Sequence, residues 1–128
     1  MQQAIVPGAD TSSFWGVNVA TDTLKILGQT ALAATTLTDI YTVPAATQTT
    51  ISTGLVCNRG STETTFRVSI ALAGAADNNK QYLYYDVPIP ANDTFAFTLG
   101  VSLGAGDIVR AYAGNTNITV NIFGVEIA

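Results

Sequence analysis

The chain has no histidine and a single cysteine, so it lacks the side chains on which most catalytic and metal sites depend. Histidine is the most common general acid or base at neutral pH, and zinc, copper and iron prefer histidine and cysteine ligands. Cys57 follows Leu55 and Val56 in an apolar run, where we expect it to be buried and unreactive. The sequence therefore predicts that the protein is not an enzyme, has no cofactor and has no metal site.

Carboxylates and amides offer weak alternatives for chemistry. A pair of carboxylates can hydrolyse a glycosidic bond, but the acidic residues here are scattered and lie mostly at turns or strand ends, which favours turn capping. Among the nine are Asp39, Asp86, Asp93, Asp107 and Glu126. Calcium ligation by Asp77, Asn78 and Asn79 is conceivable, but the segment does not resemble an EF-hand, and a solvated turn is the simpler interpretation.

Charge is also scarce, at 11% of residues and a net −4. The basic residues stand singly along the chain, at Lys25, Arg59, Arg67, Lys80 and Arg110. No local stripe can therefore neutralise phosphates, and the acidic balance disfavours an anionic membrane surface. We expect neither nucleic acid nor membrane as a partner. A weakly charged surface rich in Thr, Ser and Asn keeps copies apart poorly, which suits a protein that works in an assembly.

Targeting signals are missing as well. The N-terminus has neither a basic stretch nor an apolar core of the secretory kind, and no apolar run approaches the length that spans a bilayer. With one cysteine no intrachain disulfide can form, so a hydrophobic core must hold the fold. These features predict synthesis in a reducing cytoplasm.

Strand signals dominate what is present, because apolar residues recur with period two between turn residues. The alternating sets are Phe66, Val68, Ile70 and Leu72; Phe95, Phe97, Leu99, Val101 and Leu103; Ile51, Leu55 and Cys57; Ile108 with Tyr112; and Ile118, Val120 and Ile122. The phase then slips to Phe123, Val125 and Ile127, and Gly124 at the slip suggests a bulge or a twist.

About eight strands follow from this punctuation. They are expected near 24–29, 38–43, 48–57, 64–73, 81–89, 94–100, 107–113 and 117–127. This spacing predicts an all-β antiparallel β-sandwich, with a jelly roll as the favoured version.

Residues 1–22 break the rhythm and are predicted to form an extended N-terminal arm before a β-sandwich domain at 23–128. The segment contains Ile5, Val6, Phe14 and Trp15, which are apolar side chains that would bury surface against a neighbour. The alternative is that they fold back onto the domain's own sheet.

Tyrosines mark a second candidate interface. If residues 81–89 form a regular strand, Tyr82 and Tyr84 share one face while Leu83, Tyr85 and Val87 share the other. Two exposed rings on a β-sandwich could stack on a sugar or fill a protein interface.

Several segments together resemble small β-sandwich virion proteins of tailed bacteriophages, over about residues 24–128. They are Leu27-Gly28-Gln29, Asp39-Ile40-Tyr41-Thr42-Val43-Pro44-Ala45, Val56-Cys57-Asn58, Leu103-Gly104-Ala105-Gly106-Asp107 and Phe123-Gly124-Val125-Glu126-Ile127. The resemblance implies a capsid decoration (cement) protein or a fibre module, commonly trimeric, that assembles in the host cytoplasm with the major capsid protein or another virion protein. It brings no catalytic residues.

The length of the chain favours decoration over a tail or head fibre module, since long repeats and a coiled coil are absent from the sequence. A carbohydrate-binding β-sandwich module is the alternative from a different class, suggested by Trp15, Tyr82 and Tyr84.

Overall fold

The computed structural model describes residues 20–128, which form nine strands in two antiparallel sheets. In chain order the strands are β1 (Asp22–Ala31), β2 (Thr38–Thr42), β3 (Gln48–Asn58), β4 (Thr64–Ala71), β5 (Tyr82–Ile89), β6 (Thr94–Phe97), β7 (Val101–Leu103), β8 (Ile108–Ala113) and β9 (Ile118–Ile127). Two short 3₁₀ helices, Leu72–Gly74 and Asn79–Gln81, lie between β4 and β5. The predicted antiparallel sandwich is confirmed.

The strand order is that of a jelly roll. One sheet, which we call sheet A, runs β1-β9-β3-β6 with β7 also paired to β3, and sheet B runs β2-β8-β4-β5. β6 and β7 pair with opposite halves of β3, so they act as one interrupted strand. Counted that way, the described residues form two four-stranded sheets, and successive strands cross between them as two Greek keys.

The interruption between β6 and β7 is a departure from the predicted continuous strand. Gly100 has a φ of 66°, a left-handed conformation that glycine adopts without steric cost and that a strand does not contain. Leu99, expected to face the core, is 57% exposed. The backbone therefore leaves the sheet here, and apolar alternation alone could not reveal it.

Bulges set which residues face the core in sheet A. Leu27 is an extra residue in β1, opposite Ile122 and Phe123 of β9, and Ser52 is an extra residue in β3, opposite Phe123 and Gly124. The predicted irregularity is present, but on the neighbours of β9. A Cβ at Gly124 would lie 2.1 Å from the Thr50 carbonyl oxygen and 3.0 Å from Leu27 Cδ1. The missing side chain thus lets Leu27 cover β9 from the inside.

Five further residues that were predicted to face the core do not face it. Past the Ser52 bulge, Val56 and its alternate neighbours face inward, so Leu55 and Cys57 are only half-buried on the outer face. In β8 the buried residues are the small Val109, Ala111 and Ala113 rather than Ile108 and Tyr112. Ala113 is paired with Phe66 on the inner face, where a small side chain leaves room for the ring. Leu72 is exposed because β4 ends at Ala71.

A polar network joins the two sheets at one end of the sandwich. The Tyr41 hydroxyl in β2 donates to Glu126 Oε2 in β9 at 2.5 Å and lies 2.8 Å from Thr49 Oγ1. Lys25 Nζ donates to Glu126 Oε1 at 3.2 Å. Burial, followed by the Glu126 carboxylate, raises the pKa of Tyr41 to about 12. The same hydrogen bond, together with Lys25, lowers the pKa of Glu126.

Candidate interaction surfaces

The outer side of sheet A carries an apolar stripe. Because Val120 and Ile122 of β9 point into the core, the alternate residues Phe123, Val125 and Ile127 point outward. Ile26 lies opposite Phe123 and Leu24 opposite Val125 on the edge strand β1. These five residues, Leu24, Ile26, Phe123, Val125 and Ile127, are the apolar face.

The apolar face is open to solvent at its edge. Leu24 is 85% exposed and Ile26 is 53% exposed, whereas the three residues of β9 are half-buried beside them. A strand that is apolar on both sides is typical of one covered on both sides, and contiguous exposed apolar residues mark interaction sites. Within the described residues, no part of the opposite sheet covers this side of β9. Any cover for the apolar face must therefore come from outside those residues.

Charge is nearly absent from the same side. Lys25 and Glu126 lie on β1 and β9 but turn inward and pair with each other. Among the outward positions of the described strands β1, β9 and β3, Asp22 is the one charged residue. The apolar face therefore presents little repulsion to another copy of itself.

The outer side of sheet B is different, and its centre is an arginine between tyrosine rings. The Arg67 guanidinium carbon lies 4.1 Å from the centroid of Tyr85 and 4.3 Å from that of Tyr112. Tyr82 meets Tyr85 at a centroid distance of 5.0 Å with the ring planes at 88°. Arg67, Tyr82, Tyr85 and Tyr112 are the tyrosine cluster.

Ion pairs hold the tyrosine cluster in place. Arg67 donates two hydrogen bonds to Asp86, at 2.7 and 3.3 Å, and this pairing raises the pKa of Arg67. Asp86 has a φ of 51°, at an irregularity of β5 that turns the carboxylate toward β4. Next to the cluster, Arg110 bonds Asp39 at 2.9 Å and the Ala75 carbonyl at 2.8 Å. The charges on this side are therefore paired within the chain.

The prediction that Tyr82 and Tyr84 share a face is wrong. Leu83 is an extra residue in the pairing with β4, so the two tyrosines fall on opposite sides of sheet B. The Tyr84 ring lies 5.2 Å from Phe95 and packs against the core. Tyr85, which a regular strand would turn inward, is instead 55% exposed beside Tyr82. The sequence showed the tyrosines but not the bulge that sorts them.

The other predicted interface residues, Ile5, Val6, Phe14 and Trp15, lie outside the described residues. The arm assigned to 1–22 falls almost entirely there as well. What the structure does describe is the start of β1, where Thr21 exchanges two backbone hydrogen bonds with Ala128. Thr21 therefore extends the pairing of β1 with β9 at the edge of sheet A.

The groups considered for chemistry serve structural roles in the described part of the chain. Cys57 is half-buried on the outer side of sheet A, opposite Thr94 and Thr119, and not in the core as predicted. Asp107 accepts hydrogen bonds from the Gly104 and Ala73 amides, both at 2.8 Å, which is the predicted turn capping.

In residues 20–128, no three His, Cys, Asp or Glu side chains converge on a possible metal position. No helix there is long and apolar enough to cross a bilayer.

Comparison with known proteins finds a remote structural likeness and no match in sequence. No protein-family model matches the chain, and no curated protein matches it. Among solved structures, the chain is similar to a pentameric capsid protein isolated from metagenomic phage sequences, with 15% identity and a TM-score of 0.27. The alignment covers 98% of this chain and 79% of that one.

Proposed function

We propose that the protein is a non-enzymatic structural component of a bacteriophage particle, in the role of a decoration (cement) protein that binds and stabilises the capsid lattice. It is made in the host cytoplasm and resides in the virion. The observation that carries the proposal is the apolar face, an uncharged stripe on one side of the sandwich, opposite a side where Arg67 and Arg110 are paired with Asp86 and Asp39. The resemblance of the sequence to phage virion proteins supports a location in the phage particle.

The occupant of the apolar face, in this proposal, is a neighbouring copy of the same chain. A surface that meets its own copy must not repel itself, and the outward positions around Ile26 and Val125 offer aliphatic and threonine side chains with Asp22 as their one described charge. Copies that bring this face to a common symmetry axis form a closed oligomer, two copies in a dimer or three in a trimer. The resemblance favours a trimer.

The lattice contact is assigned to the arm at residues 1–22, outside the domain at 23–128. Ile5, Val6, Phe14 and Trp15 would bury apolar surface against the major capsid protein or another virion protein. Each arm pays ordering entropy, so one contact is weak, but copies joined through their apolar faces bind with avidity.

Mass spectrometry of purified particles tests the role. We expect a copy number close to that of the major capsid protein. Absence from the particle would overturn the structural role, and a few copies per particle would favour the alternative of a tail or head fibre module. Light scattering of the isolated protein tests self-association, and a monomer at high micromolar concentration would contradict the assigned use of the apolar face.

Deletion of residues 1–20 tests the arm. The truncated protein should fold as a sandwich but enter particles at a sharply reduced level. Deletion of residues 2–4 is the matched control, because it shortens the chain and keeps all four apolar residues of the arm. Wild-type incorporation of the longer deletion would refute the arm, and so would its failure to fold, which would place Trp15 in the domain's own core.

A further inference from the structure

A depression on the outer side of sheet B lies where two tyrosine rings meet. It is a shallow, open depression of about 520 Å³, and the described residues that line it are Asn79, Tyr82 and Tyr85. The two rings stand at 88° to each other, so they form a corner rather than a flat platform. Concave sites with an aromatic wall and a few polar groups are the usual form of small-ligand sites.

The corner is held rigidly before any ligand arrives. Arg67 fills the space between the Tyr85 and Tyr112 rings, and its two hydrogen bonds to Asp86 fix the guanidinium plane. A side chain that is already fixed loses little conformational freedom on binding. The exposed Tyr85 ring is thus a prepared surface.

Polar groups around the corner match a ligand rich in hydroxyls. Asn79 lines the depression with an amide that can both donate and accept. Burial of the ring and, after it, the Asp77 carboxylate raise the pKa of the Tyr82 hydroxyl. Amides and carboxylates bond hydroxyls well, while the C–H face of a sugar ring packs on an aromatic ring.

We propose that this depression binds a glycan, with one pyranose ring packed in the corner of Tyr82 and Tyr85 and its hydroxyls bonded by Asn79. A volume of about 520 Å³ suits one or two sugar rings. A protein partner is less suited, because the depression is open and polar whereas the extended apolar surface lies on the other sheet. The inference does not depend on the proposed role in a phage particle.

Titration with methyl pyranosides tests the site on the full-length protein. The probes are the glycosides of glucose, galactose, mannose, rhamnose and N-acetylglucosamine, followed by ¹H–¹⁵N correlation spectra. We expect saturable shifts for at least one sugar, centred on residues 79–86, with millimolar affinity. Tyr85→Ala and Asn79→Ala should each weaken that binding by about tenfold or more.

Leu99→Ala is the matched control, since Leu99 and Tyr85 are similarly exposed but Leu99 lies at the break between β6 and β7. It should leave sugar binding unchanged. No saturable shift with any of the five glycosides would overturn the proposal, as would equal binding by Tyr85→Ala. If Tyr85→Ala instead dissociates the oligomer, the corner is a protein interface and the glycan assignment is wrong.

Discussion

The two outer sides of the sandwich differ in whether their large side chains have partners within the chain. On sheet B, large side chains find partners within the chain, since Arg67 stacks on two rings and pairs with Asp86. On sheet A, Leu24 and Ile26 extend into solvent beside Phe123. The first side contributes to the stability of a single chain, whereas the second can contribute only when something covers it.

This difference determines which substitutions report on folding and which report on assembly. Removing apolar surface that is already exposed costs the monomer little, because no burial is lost. Removing a stacked and hydrogen-bonded arginine costs the monomer directly.

Ile26→Asp should break the proposed oligomer while leaving the fold intact. A carboxylate in the apolar face would have to lose its hydration in the contact, so we expect the association constant to fall by about 100-fold or more. Sedimentation velocity across a concentration series measures this change. Tyr85→Asp is the control, because it places the same charge at an equally exposed position of sheet B. Equal loss of association in both variants would refute the assignment of the apolar face.

Tyr41→Phe should remove a stability loss at alkaline pH. A pKa raised to about 12 in the folded protein means that the Tyr41 contribution is complete below about pH 10 and is lost as the pH rises toward 12. Urea unfolding should show the wild type losing about 2 to 3 kcal/mol more than Tyr41→Phe over that interval.

Tyr82, whose pKa is also raised, titrates in both proteins and cancels from the Tyr41 comparison. The lowered pKa of Glu126 acts at the other end of the scale, where its contribution is lost as the pH falls through the folded value. Identical alkaline profiles for wild type and Tyr41→Phe would show that the inter-sheet network does not support β9.

Arg67→Ala should destabilise the isolated chain by about 1 to 2 kcal/mol, since it removes two cation–π contacts and a two-point hydrogen bond. Arg67→Lys retains the charge but not the planar fork, so it should recover only part of that loss. Urea midpoints at constant slope provide the measurement. A wild-type midpoint for Arg67→Ala would mean that the tyrosine cluster does not stabilise the fold.

Leu24→Ala should change the unfolding free energy of the monomer by less than about 0.5 kcal/mol, because Leu24 is 85% exposed. The measurement must be made below the association concentration, where binding does not add to stability. A loss of several kcal/mol would show that Leu24 packs within the chain, and that the apolar face is not open.

Strand positions were predictable from the sequence because period-two alternation and turn residues report local geometry. Each of the eight predicted segments overlaps an observed strand, and β7 lies outside all of them. The jelly roll was predictable for the same reason, since strand number and spacing leave few sandwich topologies. Which residues face inward was less predictable, because one inserted residue reverses every later position of a strand.

The predictions of which residues are exposed were wrong where a strand contains such an inserted residue. Ser52 reversed the assignment of Leu55 and Cys57, and Leu83 separated Tyr82 from Tyr84. Neither serine nor leucine signals a bulge, so no local pattern could have placed them. The apolar residues after Gly124 were a visible signal, and the mistake was to expect a change in β9 itself rather than an uncovered outer side.

The position of β9 between β1 and β3 also determines when sheet A can form during synthesis on the ribosome. Residues 118–127 are the last described strand to be synthesised, yet they form the centre of sheet A. Until they emerge, β1 and β3 have no common neighbour, and the edges that will flank β9 stay open to other nascent chains. Chaperones that bind extended apolar segments would meet this protein during that interval, before sheet A is complete.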